Sequence, residues 1–164
     1  MKILYGVEAG YIIQDVPEFM NLIKNNTELF DFQQSIFLFE ERAHAEFTKS
    51  VLVDAGLFEE FFKLCYIKTG VKGETFEDFA IKTESGVCLC TELLNAFTIT
   101  GGNKEDIQMA VYQFQEHLVF TAKEEKMPAV YFSELHLKDL IIGIAEAYDI
   151  QVSFLDLDKL KKKI

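Results

Sequence analysis

Tryptophan is absent from the 164 residues, arginine occurs once and proline occurs twice. Bidentate recognition of carboxylates and phosphates is the usual task of arginine, so a single Arg42 argues against a site built on arginine clamps. No glycine- or serine-rich stretch divides the chain. We therefore predict one globular domain over residues 1–158, followed by a short lysine-rich tail over residues 159–164.

Cysteine is also scarce. Cys65, Cys88 and Cys90 are an odd number without a disulfide framework, and they lack the paired spacing of a zinc site. No apolar run reaches the ~18 residues of a membrane span, and the amino terminus lacks a secretory signal pattern. These absences predict a cytoplasmic protein, in the host cell cytoplasm if it is viral, with no membrane partner.

Catalytic and cofactor motifs are missing as well. The chain contains neither G-x-G-x-x-G, nor a P-loop, nor the G-x-S-x-G of an α/β-hydrolase. Glu41 and His44 form one E-x-x-H pair, whereas di-iron helical bundles need two such pairs and two further glutamates. We therefore expect no cofactor, no metal ion and no catalysis.

Negative charge, by contrast, is abundant. The formal net charge is −11, and it reaches −15 over residues 1–158, where 12 basic side chains face 27 acidic ones. Such a field repels a phosphate backbone and attracts a basic protein, so we expect a basic protein partner and no direct nucleic-acid binding. The alternative is that the acidity only keeps a small domain soluble.

Acidic residues are densest over residues 74–84 and just before them. The acidic residues of this region are the candidate partner-binding residues. They are Glu59, Glu60, Glu74, Glu77, Asp78 and Glu84.

The hydrophobic pattern predicts an α+β (mixed α/β) fold, a small sheet with several packed helices. Strands are expected at residues 2–7, 128–132 and 151–155, and helices are expected after Asp15, after the cap residue Asn103 and after Ser133. The strand at residues 128–132, the helix after Ser133 and the strand at residues 151–155 form a C-terminal strand–helix–strand unit. Its length is that of a parallel crossover. An all-helical fold is the alternative if the short strands fail.

The middle of the chain is less certain. Ile36, Phe39, Ala43, Phe47 and Val51 recur at intervals of three and four, which predicts a helix over residues 33–53. A second short helix is predicted over residues 57–65 and a loop over residues 69–73. Residues 75–100 fit either strands or a helix. The 16 phenylalanines are expected to fill the core, with a Phe-lined groove at residues 57–62 as the alternative.

Two functional classes remain open. The first is a small acidic intracellular interaction protein, such as an inhibitor or immunity protein that neutralises a basic, nucleic-acid-handling protein or toxin. The second is a small-ligand-binding protein or enzyme on the C-terminal unit, where Phe132, Ser133 and Glu134 would lie beside Asp156 at the carboxyl ends of the strands. A phage or assembly module is a further alternative.

Overall fold

The computed structural model describes residues 1–160, which form two antiparallel sheets with helices packed against them. The mixed α+β class predicted from the sequence is confirmed, and the all-helical alternative is wrong. The predicted tail falls largely on residues 161–164, which lie outside the described residues.

The first half of the chain is a βαββαβ unit. Its four strands lie in the order β2-β3-β1-β4, so each helix connects two parallel strands that are separated by a third. This is the connectivity of the ferredoxin-like, or split βαβ, motif. The elements are β1 (Lys2–Ala9), α1 (Pro17–Asn26), β2 (Leu29–Gln33), β3 (Ile36–Phe39), α2 (Arg42–Asp54) and β4 (Phe58–Ile67).

The last part of the chain repeats this connectivity, although no internal repeat is visible in the sequence. Its strand order is β11-β8-β10-β9. Read in the opposite direction, β9-β10-β8-β11, it matches β2-β3-β1-β4 of the first unit strand for strand. The predicted C-terminal strand–helix–strand unit is confirmed, with β8 lying between its two parallel strands. The elements are β8 (Leu94–Gly101), α4 (Lys104–Phe114), β9 (Leu118–Ala122), β10 (Val130–Glu134), α5 (Lys138–Ala147) and β11 (Gln151–Leu155).

The segment between the two units extends both sheets. It contains β5 (Gly70–Lys72), the one-turn helix α3 (Phe76–Phe79), β6 (Ala80–Lys82) and β7 (Val87–Cys90). Strands β7 and β6 continue the first unit beyond β4 to make the six-stranded sheet A, and β5 adds to β9 to make the five-stranded sheet B. One core cluster joins the sheets, with Cys65 and Leu89 of sheet A packed among Phe120 and Phe132 of sheet B.

Sheet A is rolled, so that one of its faces is concave and filled by its own side chains. Leu4, Leu38 and Cys88 are fully buried on this face, in a cluster whose members all come from strands of sheet A. Phe30 on the edge strand β2 lies with its ring centroid 5.1 Å from that of Tyr66 on β4, three strands away. The opposite face carries α1 and α2, which pack on residues such as Val7 and Phe37.

Several predictions for the middle of the chain are wrong. The predicted helix over residues 33–53 divides into β3 and α2, and residues 57–65 belong to the strand β4 rather than to a helix. All four residues of β3 and the last four residues of β4 are buried, so both stretches read as apolar runs without alternation. The predicted loop over residues 69–73 contains β5. For residues 75–100, where strands and a helix were both open, the structure has mainly strands. Ser133 lies in β10 and does not cap α5, whereas Asn103 caps α4 as predicted.

Candidate functional site

Three glutamates meet at the end of sheet A where β1 finishes and β4 begins. Glu8 and Glu60 are directly opposite each other on these antiparallel strands. With Glu59 they line a cleft of about 290 Å³, whose remaining walls are Ala9, Gly10 and Tyr11. The cleft has no basic residue in its lining, so its charge is entirely negative.

A second cleft of about 270 Å³ adjoins the first, because Glu60 lines both. Its other carboxylates are Asp78 of α3 and Glu92, which follows β7. Its apolar wall includes Phe62 and Ile81 from the concave face of sheet A. The five residues Glu8, Glu59, Glu60, Asp78 and Glu92 are called the acidic end below.

The carboxylates of the acidic end have no ion-pair partner within residues 1–160. Exposed apolar side chains line the same clefts: Tyr11 is 84% exposed and Leu93 is 50% exposed. Large apolar side chains beside polar ones are typical of protein–protein contact surfaces, where aromatic residues serve as anchors.

The opposite end of sheet A has balanced charges. A cleft of about 660 Å³ there is lined by the amino terminus, Lys2 and Lys68, together with three glutamates. Lys2 pairs with Glu40, and the amino terminus pairs with Glu124 at 2.8 Å. The negative field is therefore concentrated at one end of the rolled sheet.

The structure brings together three of the six predicted partner-binding residues, namely Glu59, Glu60 and Asp78. Glu77 forms an ion pair with Lys82, with 2.6 Å between Oε1 and Nζ, and this hydrogen bond lowers the pKa of Glu77. Glu74 lines a different cleft, on sheet B.

Glu84, the sixth predicted residue, lies in the turn between β6 and β7. The neighbouring Ser85 accepts a hydrogen bond from Tyr66 near the balanced end of sheet A. The backbone N–H of Glu84 is 3.4 Å from a carboxylate oxygen of Asp31. Glu84 therefore lies away from the acidic end.

Glu8 and Glu92 were missed by the sequence reasoning. Neither lies in the acid-rich segment, and both join the acidic end only through strand pairing. The antiparallel register of β1 with β4 brings Glu8 to the acidic end, and the register of β7 with β4 brings Glu92 there. The sequence of β4, FEEFFKLCYI, shows no period-two alternation, so no local pattern signalled this pairing.

We expect the acidic end to lower the stability of the fold, because like charges directly opposite on neighbouring strands repel each other. Replacing Glu60 with Gln removes the repulsion from Glu8 and keeps the side-chain shape. The free energy of unfolding, measured in urea at low salt, should rise by about 0.5 kcal/mol. The same change at Glu105, on the exposed surface of α4, is the control and should bring no gain. Equal stability of wild type and Glu60→Gln at low salt would contradict the expected repulsion.

The alternative site on the C-terminal unit is less accessible than expected. Phe132 and Ser133 are fully buried, so neither side chain is available to a ligand. Glu134 pairs with His136, and Asp156 accepts hydrogen bonds from the backbone of Asp158 and the side chain of Lys159. None of these four predicted residues lines any of five clefts found among residues 1–160.

The cysteines are free thiols in apolar surroundings. Burial raises the pKa of Cys65 and of Cys88 from 9.0 to about 12, and it also raises the pKa of the half-buried Cys90. A nucleophilic thiol needs the opposite shift, because the thiolate is the reactive form. Burial therefore disfavours the thiolate form of all three side chains.

The buried thiols predict a loss of stability in alkali. Cys65 and Cys88 stay neutral in the folded protein up to a pKa of about 12, while the unfolded chain loses these protons above 9.0. The stabilisation is complete below pH 9 and disappears as the pH rises towards 12. At pH 10, each thiol should lower the free energy of unfolding by about 1 kcal/mol relative to pH 8. Urea unfolding at pH 8 and pH 10 measures the loss, and a loss that persists unchanged in the Cys65→Ala/Cys88→Ala variant would contradict this cause.

Hydrogen bonding and spacing within the described residues 1–160 decide whether His44 and other metal-ligating side chains form a binding constellation. Nδ1 of His44 accepts a hydrogen bond of 3.2 Å from the backbone N–H of Glu28, so this nitrogen is occupied. Within residues 1–160, no three His, Cys, Asp or Glu side chains are placed to hold a metal ion. No helix in the same range is both long and apolar enough to cross a membrane.

The comparisons with known proteins add no family. No protein-family model matches the chain, and no curated protein or solved structure is significantly similar to it. The ferredoxin-like connectivity serves many unrelated functions and so does not identify one for this chain.

Proposed function

We propose that this protein is a non-catalytic interaction protein that binds a basic protein partner at its acidic end. The observation that carries the proposal is the group of five carboxylates around two adjoining clefts, none of which has an ion-pair partner among the described residues 1–160. An acidic surface of this kind speeds encounter with a positively charged partner and orients it. Glu8 lies directly opposite Glu60, whereas acidity that served solubility alone could be dispersed without placing like charges in contact.

The exposed apolar residues favour a folded protein as the partner rather than a small cation. Tyr11 borders the first cleft and Leu93 the second. Charges at the rim of an interface chiefly determine the association rate, whereas buried aromatic anchors carry much of the affinity. Tyr11 and Leu93 would supply such anchors.

A more specific form of the proposal is an intracellular inhibitor or immunity protein. Enzymes that handle nucleic acids hold a polyanion in a basic site, and carboxylates arranged around a cleft present a comparable negative surface. Free thiols suit a reducing compartment. A phosphate backbone, in contrast, would be repelled by the acidic end.

Affinity capture from the native host tests the proposal with two matched variants. The first reverses Glu59, Glu60 and Asp78 to Lys, and the second makes the same charge change at Glu105, Glu116 and Glu146, which lie on the helical side of sheet B. Wild type and the second variant should retain the same basic protein, and the first should lose it. A DNA oligonucleotide should compete if that protein is a nucleic-acid enzyme. Retention by all three proteins would contradict binding at the acidic end.

A further inference from the structure

The five-stranded sheet B is wider than the two helices that together cover one of its faces. A helix with its side chains is about 10 Å wide and strands lie about 4.8 Å apart, so α4 and α5 cover about four strands. The fifth strand, β5, leaves a groove of about 440 Å³ between itself and α4. This volume lies within the range of small-molecule sites, about 300–1,000 Å³.

The groove has an apolar wall and a polar floor. Val71 of β5, Val111 of α4 and Leu118 of β9 form the wall. Thr121 and Tyr131 form the floor. Strand register places them side by side, because Thr121 is opposite both Val71 on β5 and Tyr131 on β10. The ring of Tyr131 is held by stacking on the buried Phe97, at 5.4 Å between centroids.

Several polar groups in the groove have no partner among residues 1–160. The hydroxyl groups of Tyr131 and Thr121 and the side-chain amide of Gln115 make no hydrogen bond there, and the ammonium group of Lys123 makes no ion pair. Burial raises the pKa of Tyr131, which keeps its phenol protonated and able to donate at neutral pH. A few convergent polar groups on an apolar wall are typical of a ligand site.

The charge of this groove is opposite to that of the acidic end. Lys72 and Lys123 line it together with a single carboxylate, that of Glu74, which gives a net charge of +1. The ammonium group of Lys72 lies 4.8 Å from the ring centroid of Phe76, so Lys123 is the cation left to meet a ligand. A net positive cleft on a chain of charge −11 selects an anion.

We infer that the groove between α4 and β5 binds a small amphipathic carboxylate, with its apolar part on Val71 and Val111 and its carboxylate between Lys123 and the Tyr131 hydroxyl. This site is independent of the proposed partner surface.

Three probes with the same six-carbon chain test the inference: hexanoate, hexan-1-ol and hexylammonium. In ¹⁵N-edited NMR titrations, hexanoate should give saturable shifts at the amides of Val71, Thr121, Lys123 and Tyr131. Its Kd should be at least about fivefold lower than that of hexylammonium. Shifts without saturation, or tighter binding of hexylammonium, would overturn the inference.

Two variants identify the determinants. Lys123→Gln should raise the hexanoate Kd to that of hexan-1-ol, whereas Lys24→Gln, the same charge change on the distant helix α1, should leave it unchanged. Val111→Trp should fill the groove and abolish the shifts. An unchanged Kd in Lys123→Gln, in a protein whose other amide resonances are unaltered, would refute the role of the ammonium group, even if Val111→Trp fails to fold.

Discussion

Reversing Glu59, Glu60 and Asp78 to Lys should slow association with the basic partner by at least about tenfold. The change adds six units of positive charge at the acidic end, whose carboxylates have no ion-pair partner in the part of the chain that the structure describes. Electrostatic steering raises association rates by about 10–10³-fold, so removing and inverting its source should affect the rate more than the lifetime of the complex. Stopped-flow or surface-based kinetics with the captured partner measure both rates.

Salt separates steering from other causes of slow binding. The wild-type association rate should fall steeply as ionic strength rises, because screening shortens the reach of the field to about 8 Å under physiological conditions. The variant should show little salt dependence. The control, with Glu105, Glu116 and Glu146 reversed, should keep most of the wild-type rate and slope. A salt-insensitive wild-type rate would mean that the acidity does not steer the partner.

Replacing Phe97 with Ala should destabilise the fold by about 3–5 kcal/mol. Phe97 is fully buried on β8, at the centre of the second βαββαβ unit. Its ring centroid lies 5.2 Å from that of Phe114 on α4 and 5.6 Å from that of Phe154 on β11. The substitution therefore leaves a cavity between the sheet and its helices. Urea unfolding measures the change.

The matched control is Phe47→Ala on the outer part of α2, where the ring is 38% exposed. It should cost less than about 1 kcal/mol, because much of that ring contacts water in the folded protein. Unfolding should remain a single transition in both variants, since one core cluster contains residues of both sheets. Equal costs for the two substitutions, or two separate transitions, would contradict the packing described here.

The elements predicted correctly are those with an independent local signal. Asn103 accepts a hydrogen bond from the backbone N–H of Asp106, which is the cap that its position suggested for α4. The short strands at both ends of the chain were recognisable from β-branched and aromatic residues between turn residues. Such signals involve only near neighbours in the chain, so they survive without knowledge of the fold.

The elements predicted wrongly are those whose pattern depends on distant covering residues. All four residues of β3 are buried, because α2 covers one face and the rolled sheet closes over the other. Four successive apolar residues fit a buried strand and a helix segment equally well. The helical spacing of the residues in α2 continues the pattern of β3, so one helix was predicted across the turn between them.

The candidate site was half predictable for a related reason. Acidic composition along residues 59–84 indicated Glu59, Glu60 and Asp78, but local composition carries no information about register. Glu8 enters the site because it faces Glu60 across β1 and β4. Glu77 is adjacent to Asp78 in the chain, yet its charge is offset by Lys82. Strand pairing and ion pairing thus decide which acids form the acidic end.

An NMR titration of the ¹⁵N-labelled protein with an octa-arginine peptide tests the central claim most directly, because it needs no identified partner. The acidic end should attract the peptide before any other surface does. At low salt, amide shifts should concentrate at residues 8–12, 59–62, 78 and 92–93, and they should vanish in the variant with Glu59, Glu60 and Asp78 reversed. Shifts of equal size around Glu18, Glu105 and Glu146 would contradict the account, because the acidity would then act as a diffuse surface charge.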